Sequence, residues 1–93
     1  MKKRYKIIET YIQPNEEYKT YYYIEGEGGE RYTIERNRNR VEMVEGRIDR
    51  YGEEDIGFSG EIEVEYEEID GKYYDVKEVI VYDRNNKEVI YKN

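Results

Sequence analysis

Apolar and acidic residues alternate one for one through the middle of the chain. Ile62, Val64 and Tyr66 occupy every second position, and the residues between them are glutamates. Successive side chains of a β-strand point to opposite faces of the sheet, so a period of two is typical of a strand with one buried and one solvated face. The same phase extends back to Ile56 and Phe58. The alternation therefore predicts a long, half-buried strand.

The residue types available to the chain favour strands along its whole length. Leucine and alanine, the best apolar helix formers, are both absent. Isoleucine, valine, threonine, tyrosine and phenylalanine supply 35 of the 93 residues, and these side chains suit a pleated sheet. No window repeats apolar residues at helical spacing over three turns. We therefore expect a folded, all-β protein, although 42% of its residues are charged.

Short turn signals divide the chain into about seven strands. We expect these strands near residues 3–12, 18–25, 30–36, 41–51, 56–69, 72–83 and 87–92. The breaks between them are short and rich in Gly, Asn, Asp or Pro, as hairpin loops are. A parallel crossover needs about a dozen residues, so the sequence predicts an antiparallel meander. The length fits a single antiparallel β domain over residues 1–93.

Hairpin loops set the expected register of the strands. We place them at residues 26–29, 69–71 and 85–86. With Gly71 in the left-handed region, the second loop sets Tyr66 opposite Tyr74, and the third sets Tyr82 opposite Val89. The predicted core comprises Tyr21, Tyr23, Tyr32, Ile34, Val41, Met43, Ile48, Phe58, Ile62, Val64, Tyr66, Tyr74, Val76, Ile80, Tyr82, Val89 and Tyr91.

Glycines inside the predicted strands indicate a curved sheet. Gly46 and Gly60 fall within long strands, where glycine otherwise weakens pairing. Glycine kinks and bulges curl a sheet toward a barrel, and the sequence around Lys77-Glu78 fits a bulge. We therefore expect a small β-barrel, partly open if the number of strands is odd. A two-sheet β-sandwich is the alternative.

The amino-acid alphabet excludes most catalytic chemistry. Cysteine and histidine are absent, which removes disulfides, thiolate nucleophiles, Ser-His catalysis and the commonest transition-metal ligand. Ser59 is the only serine, and no base is available to activate it. So short a chain also has little material for a cleft between paired carboxylates. We expect no enzymatic activity, no catalytic residues, no cofactor and no metal site.

Targeting and membrane segments are not apparent in the sequence. No stretch approaches the roughly 18 apolar residues of a membrane span. No apolar signal-peptide segment follows the basic start Met1-Lys2-Lys3-Arg4. We expect no targeting signal and no membrane contact, and a cytoplasmic location if the chain is expressed in a cell.

An acidic run is one candidate interaction surface. Residues 52–71 hold nine acidic side chains and no lysine or arginine. A Ca²⁺ site would need oxygens converging on one point, whereas a strand spaces same-face residues about 7 Å apart in a row. We interpret the run as a solvated face balanced by Lys72, Lys77, Arg47 and Arg50. The alternative is an acidic decoy for a basic, nucleic-acid-binding partner.

Six arginines between Arg31 and Arg50 are a second charged cluster. Phosphate contact is one interpretation, with Tyr32 and Tyr51 as stacking platforms for bases. Acidic residues interleave these arginines, and the net charge of the chain is −7. Such a chain approaches a polyanion against its own field, so we expect no nucleic-acid binding.

The tyrosines and one glutamate are the candidate ligand-binding residues. The runs 21–23 and 73–74 place tyrosine rings on both faces of their strands, where they can stack on a ligand or pack in a core. Glu78 falls in the row predicted to point inward, where a carboxylate is a candidate ligand contact unless a bulge turns it outward. The candidate set is therefore Glu78, Tyr21, Tyr23 and Tyr74.

A second apolar set lies opposite the predicted core. Val79, Val81 and Ile90 belong to it, and exposed together they would form a patch that calls for a partner. We expect a monomer that requires no partner, with a weak homodimer through exposed apolar strand faces as the alternative.

The whole chain resembles computationally designed β proteins. The resemblance rests on the restricted alphabet, the Lys/Glu/Arg outer faces, the turns at Asp70-Gly71 and Asn85-Asn86, and the strand-interior glycines. It implies a stable scaffold with no evolved ligand or reaction. A natural thermophilic or viral protein is the alternative origin. A small binding module with a Tyr-lined barrel mouth or face, for a small molecule, sugar or peptide, is the alternative function.

Overall fold

Antiparallel strands make up the regular structure of this chain. The computed structural model describes residues 1–71 and 73–93, and it describes residues 16–18 by their backbone only. Lys72, which is predicted to lie in a strand and to balance the acidic run, lies outside the described residues. The strands are β1 (Lys2–Gln13), β2 (Glu16–Glu25), β3 (Arg31–Asn37), β4 (Arg40–Glu45), β5 (Glu54–Asp55), β6 (Gly60–Ile69), β7 (Tyr73–Asp83) and β8 (Asn86–Lys92).

The strands form one sheet that curls through 235° into an open half-barrel. The strand order is β4-β3-β2-β1-β6-β7-β8, with the short β5 paired to β1. The predicted all-β, antiparallel meander of about seven strands is confirmed. The curled sheet does not close, and the first strand lies at its centre between β2 and β6. The sandwich alternative therefore does not describe this fold.

The segment between β4 and β6 differs from the prediction of two long strands. Only β5 is a strand within residues 46–59, which we call the strap. Gly46, Gly52 and Gly57 each adopt a positive φ, between 69° and 76°, and such residues turn the chain rather than extend it. Gly46 thus ends β4, and Gly60 begins β6, where the carbonyl oxygen of Tyr82 occupies the space that a side chain would need.

The core fills the concave face of the sheet. Eleven of the predicted core residues belong to it or pack against it: Tyr32, Ile34, Val41, Met43, Phe58, Ile62, Val64, Tyr66, Tyr74, Val76 and Tyr91. The prediction missed Tyr5, Ile7, Tyr22, Ile24, Val79, Val81 and Ile90. Tyr21 and Ile80 are buried as predicted, although they lie outside this cluster. The prediction wrongly included Tyr23, Ile48, Tyr82 and Val89, which are not buried.

The β2–β3 hairpin shows why the predicted faces were wrong. Glu25 pairs with Arg31, so the loop spans residues 26–30 rather than 26–29. One extra loop residue shifts the register, and a shift by one residue moves a strand's side chains to the other face. Tyr22 and Ile24 therefore face the core.

A bulge in β7 reverses the second half of that strand. Glu65 pairs with Glu78, whereas Tyr66 pairs with Val76, so Lys77 has no opposite residue. Beyond this point Val79 and Val81 enter the core. The apolar set proposed as a partner surface is thus buried within the chain.

Turn positions also differ slightly from the predictions. Gly71 has the expected left-handed conformation, with a φ of 68°, but Tyr66 pairs with Val76 rather than with Tyr74. Asp83 pairs with Asn86, so the last turn lies one residue earlier than predicted. Val89 is consequently on the outer face and 49% exposed.

Candidate functional site

Four tyrosines meet at one end of the half-barrel and form the tyrosine cluster, Tyr5, Tyr32, Tyr66 and Tyr74. Tyr32 lies at the centre, with ring centroids 5.8 Å from Tyr5 and 5.6 Å from Tyr74. Tyr66 lies 5.6 Å from Tyr74. All three contacts are edge-to-face, which places the positive edge of one ring on the negative face of the next. Strands β1, β3, β6 and β7 are thereby joined across the curl of the sheet.

Hydroxyl groups of the cluster bond to one another and to one carboxylate. The hydroxyls of Tyr5 and Tyr66 are 3.2 Å apart, and the Tyr74 hydroxyl donates to Oε1 of Glu45 at 3.0 Å. Burial, followed by the bond to Tyr66, raises the pKa of Tyr5 far above its ordinary value. Burial and the bond to Glu45 likewise raise the pKa of Tyr74. These phenols are therefore neutral hydrogen-bonding groups near pH 7 rather than bases or nucleophiles.

An open groove of about 650 Å³ runs beside the cluster, between β4 and the start of β7. We call it the seam groove. Its lining includes Val41, Glu42, Met43, Glu45, Tyr73 and Tyr74. The groove combines apolar and aromatic walls with two carboxylates, and it lies where the curled sheet fails to close.

The backbone of β4 presents unpaired groups to this groove. In the described part of the chain β4 pairs only with β3. The amide of Gly46 donates to the Arg31 carbonyl at 3.0 Å, and hydrogen-bonded positions alternate along an antiparallel pair. Val41, Met43 and Glu45 therefore direct their amide and carbonyl groups away from β3, toward the free edge.

A second aromatic site lies on the convex face, beneath the strap. Tyr11 and Tyr21 are fully buried there, and their rings stack at 5.0 Å with an angle of 11° between their planes. The guanidinium of Arg47 lies 4.5 Å from the Tyr11 ring centroid. Arg50 donates from Nε to the Tyr21 hydroxyl at 3.1 Å. Two arginines of the strap thus cover two tyrosines of the sheet by cation–π contact and hydrogen bonding.

Ion pairs and hydrogen bonds hold the strap in place. Arg47 pairs with Glu9 of β1 at 2.6 Å and also with Asp49 and Glu53 of the strap. The bonds to Glu53 and Glu9 raise the pKa of Arg47, so it stays charged. Thr33 of β3 donates to the Gly46 carbonyl at 2.6 Å. Together with the Arg50–Tyr21 bond, these contacts fix the strap to β1, β2 and β3.

Tyr11, which lies under the strap, has a pKa set mainly by its burial. Burial raises the pKa of Tyr11 to about 12, although the positive charge of Arg47 lowers it. The Tyr11 hydroxyl donates to the carbonyl of Ile48. Tyr11 thus serves as a neutral anchor for the strap.

The structure separates the predicted ligand-binding residues. Tyr74 belongs to the tyrosine cluster, and Tyr21 lies under the strap. Tyr23 is on the convex face, where Arg31 donates to its hydroxyl at 3.2 Å. Glu78 was predicted to lie in an inward row, but the bulge turns it to the convex face, opposite Glu65. The four residues do not form one site.

Sequence reasoning missed the partners that surround Tyr74. It assigned Tyr32 and Tyr66 to the core without grouping them with Tyr5, and it gave no role to Glu45 or Tyr73. Parity along β1 could have found Tyr5, since Tyr5 and Ile7 share a face. The approach of β4 to β7 depends on the curl of the sheet, and no short sequence pattern predicts it.

The acidic run lies against a basic strand. Along β1 the residues Lys2, Arg4 and Lys6 pair in register with Glu65, Glu63 and Glu61 of β6. Arg4 also contacts Glu61 at 3.1 Å and lies 3.9 Å above the Tyr82 ring. Of the predicted counter-charges, Arg47 pairs within the run, with Glu53.

Lys77, another predicted counter-charge, instead pairs with Asp75 at 2.7 Å. Asp75 belongs to β7 and not to the acidic run of residues 52–71. Arg50 reaches the run through its backbone amide, which donates to Glu53 at 3.2 Å. Among the described side chains, those of residues 1–15, 19–71 and 73–93, no group of three or more acidic residues is arranged to hold a metal ion. The glutamates on the convex face of β6 therefore lie opposite basic residues of β1 and form cross-strand charge pairs with them.

No helix in the described part of the chain is long and apolar enough to span a membrane. Comparisons with protein-family models, curated proteins and solved structures returned no match to this chain.

Proposed function

We propose that this chain is a rigid, non-catalytic β scaffold of the designed type. The observation that carries the proposal is that the central strands are buried on both faces. Tyr22 and Ile24 of β2 lie in the concave core, and Tyr21 of the same strand is fully buried under the strap. In a sheet packed on both faces, side chains on each side stabilise the same backbone hydrogen bonds, as a rigid scaffold requires.

The use of its polar side chains supports the same proposal. Tyrosine hydroxyls bond to each other, to a carboxylate or to strap residues, and Arg47 bonds to three carboxylates. These are the groups that a binding or catalytic site would otherwise use. In this fold they join elements that are distant along the chain.

Equilibrium unfolding tests the scaffold proposal. Guanidinium titration followed by far-ultraviolet circular dichroism and by tyrosine fluorescence should give coincident, reversible transitions, as a single cooperative domain does. Transitions that differ between the two probes, or binding of a hydrophobic dye by the native protein, would contradict a rigid packed scaffold.

A second candidate function is a small binding module, and the seam groove is the observation that favours it. The concave interior is filled by core side chains, so the groove is better supported as a ligand site than the barrel lumen. Its test is mapping of amide chemical shifts with short peptides. Shifts confined to residues 41–45 and 73–74 would support it, and shifts elsewhere, or none, would contradict it.

The acidic decoy has less support than either of these functions. Three glutamates of β6 already face Lys2, Arg4 and Lys6 across the β1–β6 ladder, which reduces the field available to a basic partner. Titration with polylysine at low salt tests this function. Saturable binding there would restore it, and the absence of binding would end it.

A further inference from the structure

We infer that Tyr74 is a redox-active tyrosine, which gives its electron to a strong one-electron oxidant and its proton to Glu45 in the same step. The tyrosyl radical that results is the point at which oxidation of the tyrosine cluster stops. The inference goes beyond the scaffold proposal, because it assigns a chemical reaction to a pair of side chains. The reaction requires no ligand in the seam groove.

The hydrogen bond of Tyr74 provides the acceptor for the proton. A phenol that has lost an electron is a strong acid, so its oxidation is favoured where a base takes the proton at the same time. The Tyr74 hydroxyl donates to Oε1 of Glu45 at 3.0 Å, within the distance at which a carboxylate takes a proton. Burial and this bond raise the pKa of Tyr74. The phenol therefore keeps its proton at pH 7 until the electron leaves.

The atoms and electrons of the reaction balance. The Oη–H bond of Tyr74 breaks, an Oε1–H bond forms on Glu45, and the oxidant is reduced by one electron. The products are a neutral tyrosyl radical and a carboxylic acid that remains hydrogen-bonded to it. In the reverse direction a one-electron donor such as ferrocyanide is oxidised to ferricyanide, and Glu45 returns the proton. The protein is unchanged after both reactions.

Tyrosines elsewhere in the chain have hydrogen-bond partners of a different kind. The hydroxyls of Tyr5 and Tyr66 are 3.2 Å apart and bond to each other, and a neutral phenol is a much weaker proton acceptor than a carboxylate. Tyr21 accepts a hydrogen bond from the guanidinium of Arg50, whose positive charge opposes the loss of an electron. These contacts favour Tyr74 as the site of the radical.

The rings of the cluster are close enough to pass an electron vacancy to Tyr74. The centroids of the Tyr32 and Tyr66 rings each lie 5.6 Å from that of Tyr74. Tyr5 lies 5.8 Å from Tyr32. Rings at these separations are in contact, and electron transfer is fastest between groups in contact. A vacancy on any of the four rings therefore reaches Tyr74 in at most two transfers, and loss of the proton to Glu45 holds it there.

The position of Tyr74 makes the oxidation reversible by soluble reductants. Its side chain is half-buried and borders the seam groove, which is open and has a volume of about 650 Å³. Tyr5 and Tyr66 are only 2% and 4% exposed. A soluble electron donor thus reaches the radical at Tyr74 more readily than one at the buried rings. The Tyr74–Glu45 pair therefore protects the buried tyrosines from permanent oxidation.

Photogenerated tris(bipyridine)ruthenium(III), which removes one electron, is the oxidant for the test. The starting variant carries Tyr51→Phe and Tyr73→Phe, because these rings are 98% and 70% exposed and react directly with the oxidant. Exposed positions tolerate the loss of a hydroxyl. We expect the absorption and electron paramagnetic resonance spectra of a neutral tyrosyl radical. A nitroso spin trap should label Tyr74, as identified by peptide mass analysis.

Two matched glutamine variants of this starting protein test the proton acceptor. Glu45→Gln keeps an oxygen that accepts the hydrogen bond but removes the base, and it should slow radical formation about tenfold because water then has to take the proton. Glu42→Gln makes the same charge change on the same strand, at an exposed residue paired with Arg40, and should leave the rate unchanged. Deuterium oxide should slow the reaction more in Glu42→Gln than in Glu45→Gln, since the proton moves together with the electron only where Glu45 is present.

Equal rates and equal isotope effects in the two glutamine variants would overturn the inference. Spin-trap adducts on other tyrosines, with none on Tyr74, would overturn it as well. Tyr74→Phe keeps a ring in the cluster and should remove most of the radical yield, and an unchanged yield would contradict the assignment. Circular dichroism shows whether each variant keeps the strand content of the starting protein, so that a slower reaction is compared only between folded proteins.

Discussion

Arg84 adopts a φ of 53° in the turn between β7 and β8. For a residue with a side chain, the left-handed region costs about 1–2 kcal/mol, whereas glycine enters it freely. Asn85 follows in the same turn and is not among the residues with positive φ. The strained position is therefore the arginine, although asparagine is the residue better suited to it.

The first prediction concerns this turn. Arg84→Gly should raise the free energy of unfolding by about 0.5–1 kcal/mol, since relief of strain exceeds the entropy that glycine adds to the unfolded chain. Asn85→Gly is the control, and it should leave stability unchanged or lower it. Guanidinium unfolding measures both, and a larger gain at Asn85 would show that the turn is placed incorrectly.

The buried hydroxyl pair of the tyrosine cluster gives the second prediction. Tyr5→Phe should cost about 1–2 kcal/mol, because it leaves the Tyr66 hydroxyl buried without its partner at 3.2 Å. Tyr66→Phe should cost a similar amount for the same reason. The double variant should cost less than the sum of the two. Strictly additive losses in this double-mutant cycle would indicate that the two hydroxyls do not interact.

At the scale of elements, the strap converts an irregular connection into a second packed layer. Residues 46–59 pass from one edge strand to the centre of the sheet, and β5 within them pairs with Tyr11 and Ile12 of β1. Arg47 adds side-chain contacts between the strap and β1, through Glu9 and through the face of Tyr11. Removal of Arg47 should therefore loosen the whole segment.

The third prediction tests this role. Arg47→Met keeps much of the side-chain volume but removes the cation that pairs with Glu9 and Glu53, and it should cost about 1–3 kcal/mol. The Ile56 amide, which donates to the Thr10 carbonyl at 3.0 Å, should exchange faster with solvent. Arg40→Met makes the same change at an exposed ion pair and should have no measurable effect. Equal effects of the two variants would contradict a special role for Arg47.

The individual strands show which features of the fold can be predicted from the sequence. The strands themselves follow from local alternation, and the core-facing side of β6 was predicted correctly because the alternation of Ile62, Val64 and Tyr66 with glutamates assigns its two faces. The faces of β2 depend on whether Glu30 joins the loop, where its carbonyl accepts from Gly26 at 2.9 Å. The bulge at Lys77 likewise depends on pairing with a second strand. The residue pattern within one strand indicates neither the length of the loop nor the position of the bulge.

The candidate site was predictable only in part for the same reason. Tyr74 was identified as a candidate, but its contacts come from other strands. The Tyr5–Tyr66 pair is separated by 61 positions along the chain, and the order of strands brings it together. Glu45 reaches Tyr74 only because the sheet curls β4 toward β7. Strand order and curl are properties of the whole sheet.

At the scale of the whole molecule, buried tyrosines make the free energy of unfolding decrease at alkaline pH. Burial raises the pKa values of Tyr5, Tyr11 and Tyr22 above the ordinary value of 10.0. The unfolded chain therefore loses these protons first as pH rises. The stabilisation is fully present below about pH 10 and is lost as the pH rises toward the folded-state values, which for Tyr11 is about 12.

The fourth prediction is the resulting pH profile. The free energy of unfolding should fall above about pH 10, by about 1.4 kcal/mol per pH unit for each buried tyrosine that stays protonated in the folded state. Guanidinium titrations between pH 8 and 11 measure this fall, with tyrosinate absorbance recorded in parallel. Stability that stays constant through pH 11, with all tyrosines ionising near pH 10, would contradict the burial described here.

The central claim is that one sheet curls into a half-barrel and leaves the edge of β4 free. Amide hydrogen exchange along β4 tests it most directly, because positions that face β3 alternate with positions that face the groove. The amides of Glu42 and Val44 should exchange at least about tenfold more slowly than those of Val41, Met43 and Glu45. Uniform protection along β4 in the monomer would show that a further strand covers this edge and that the barrel is closed.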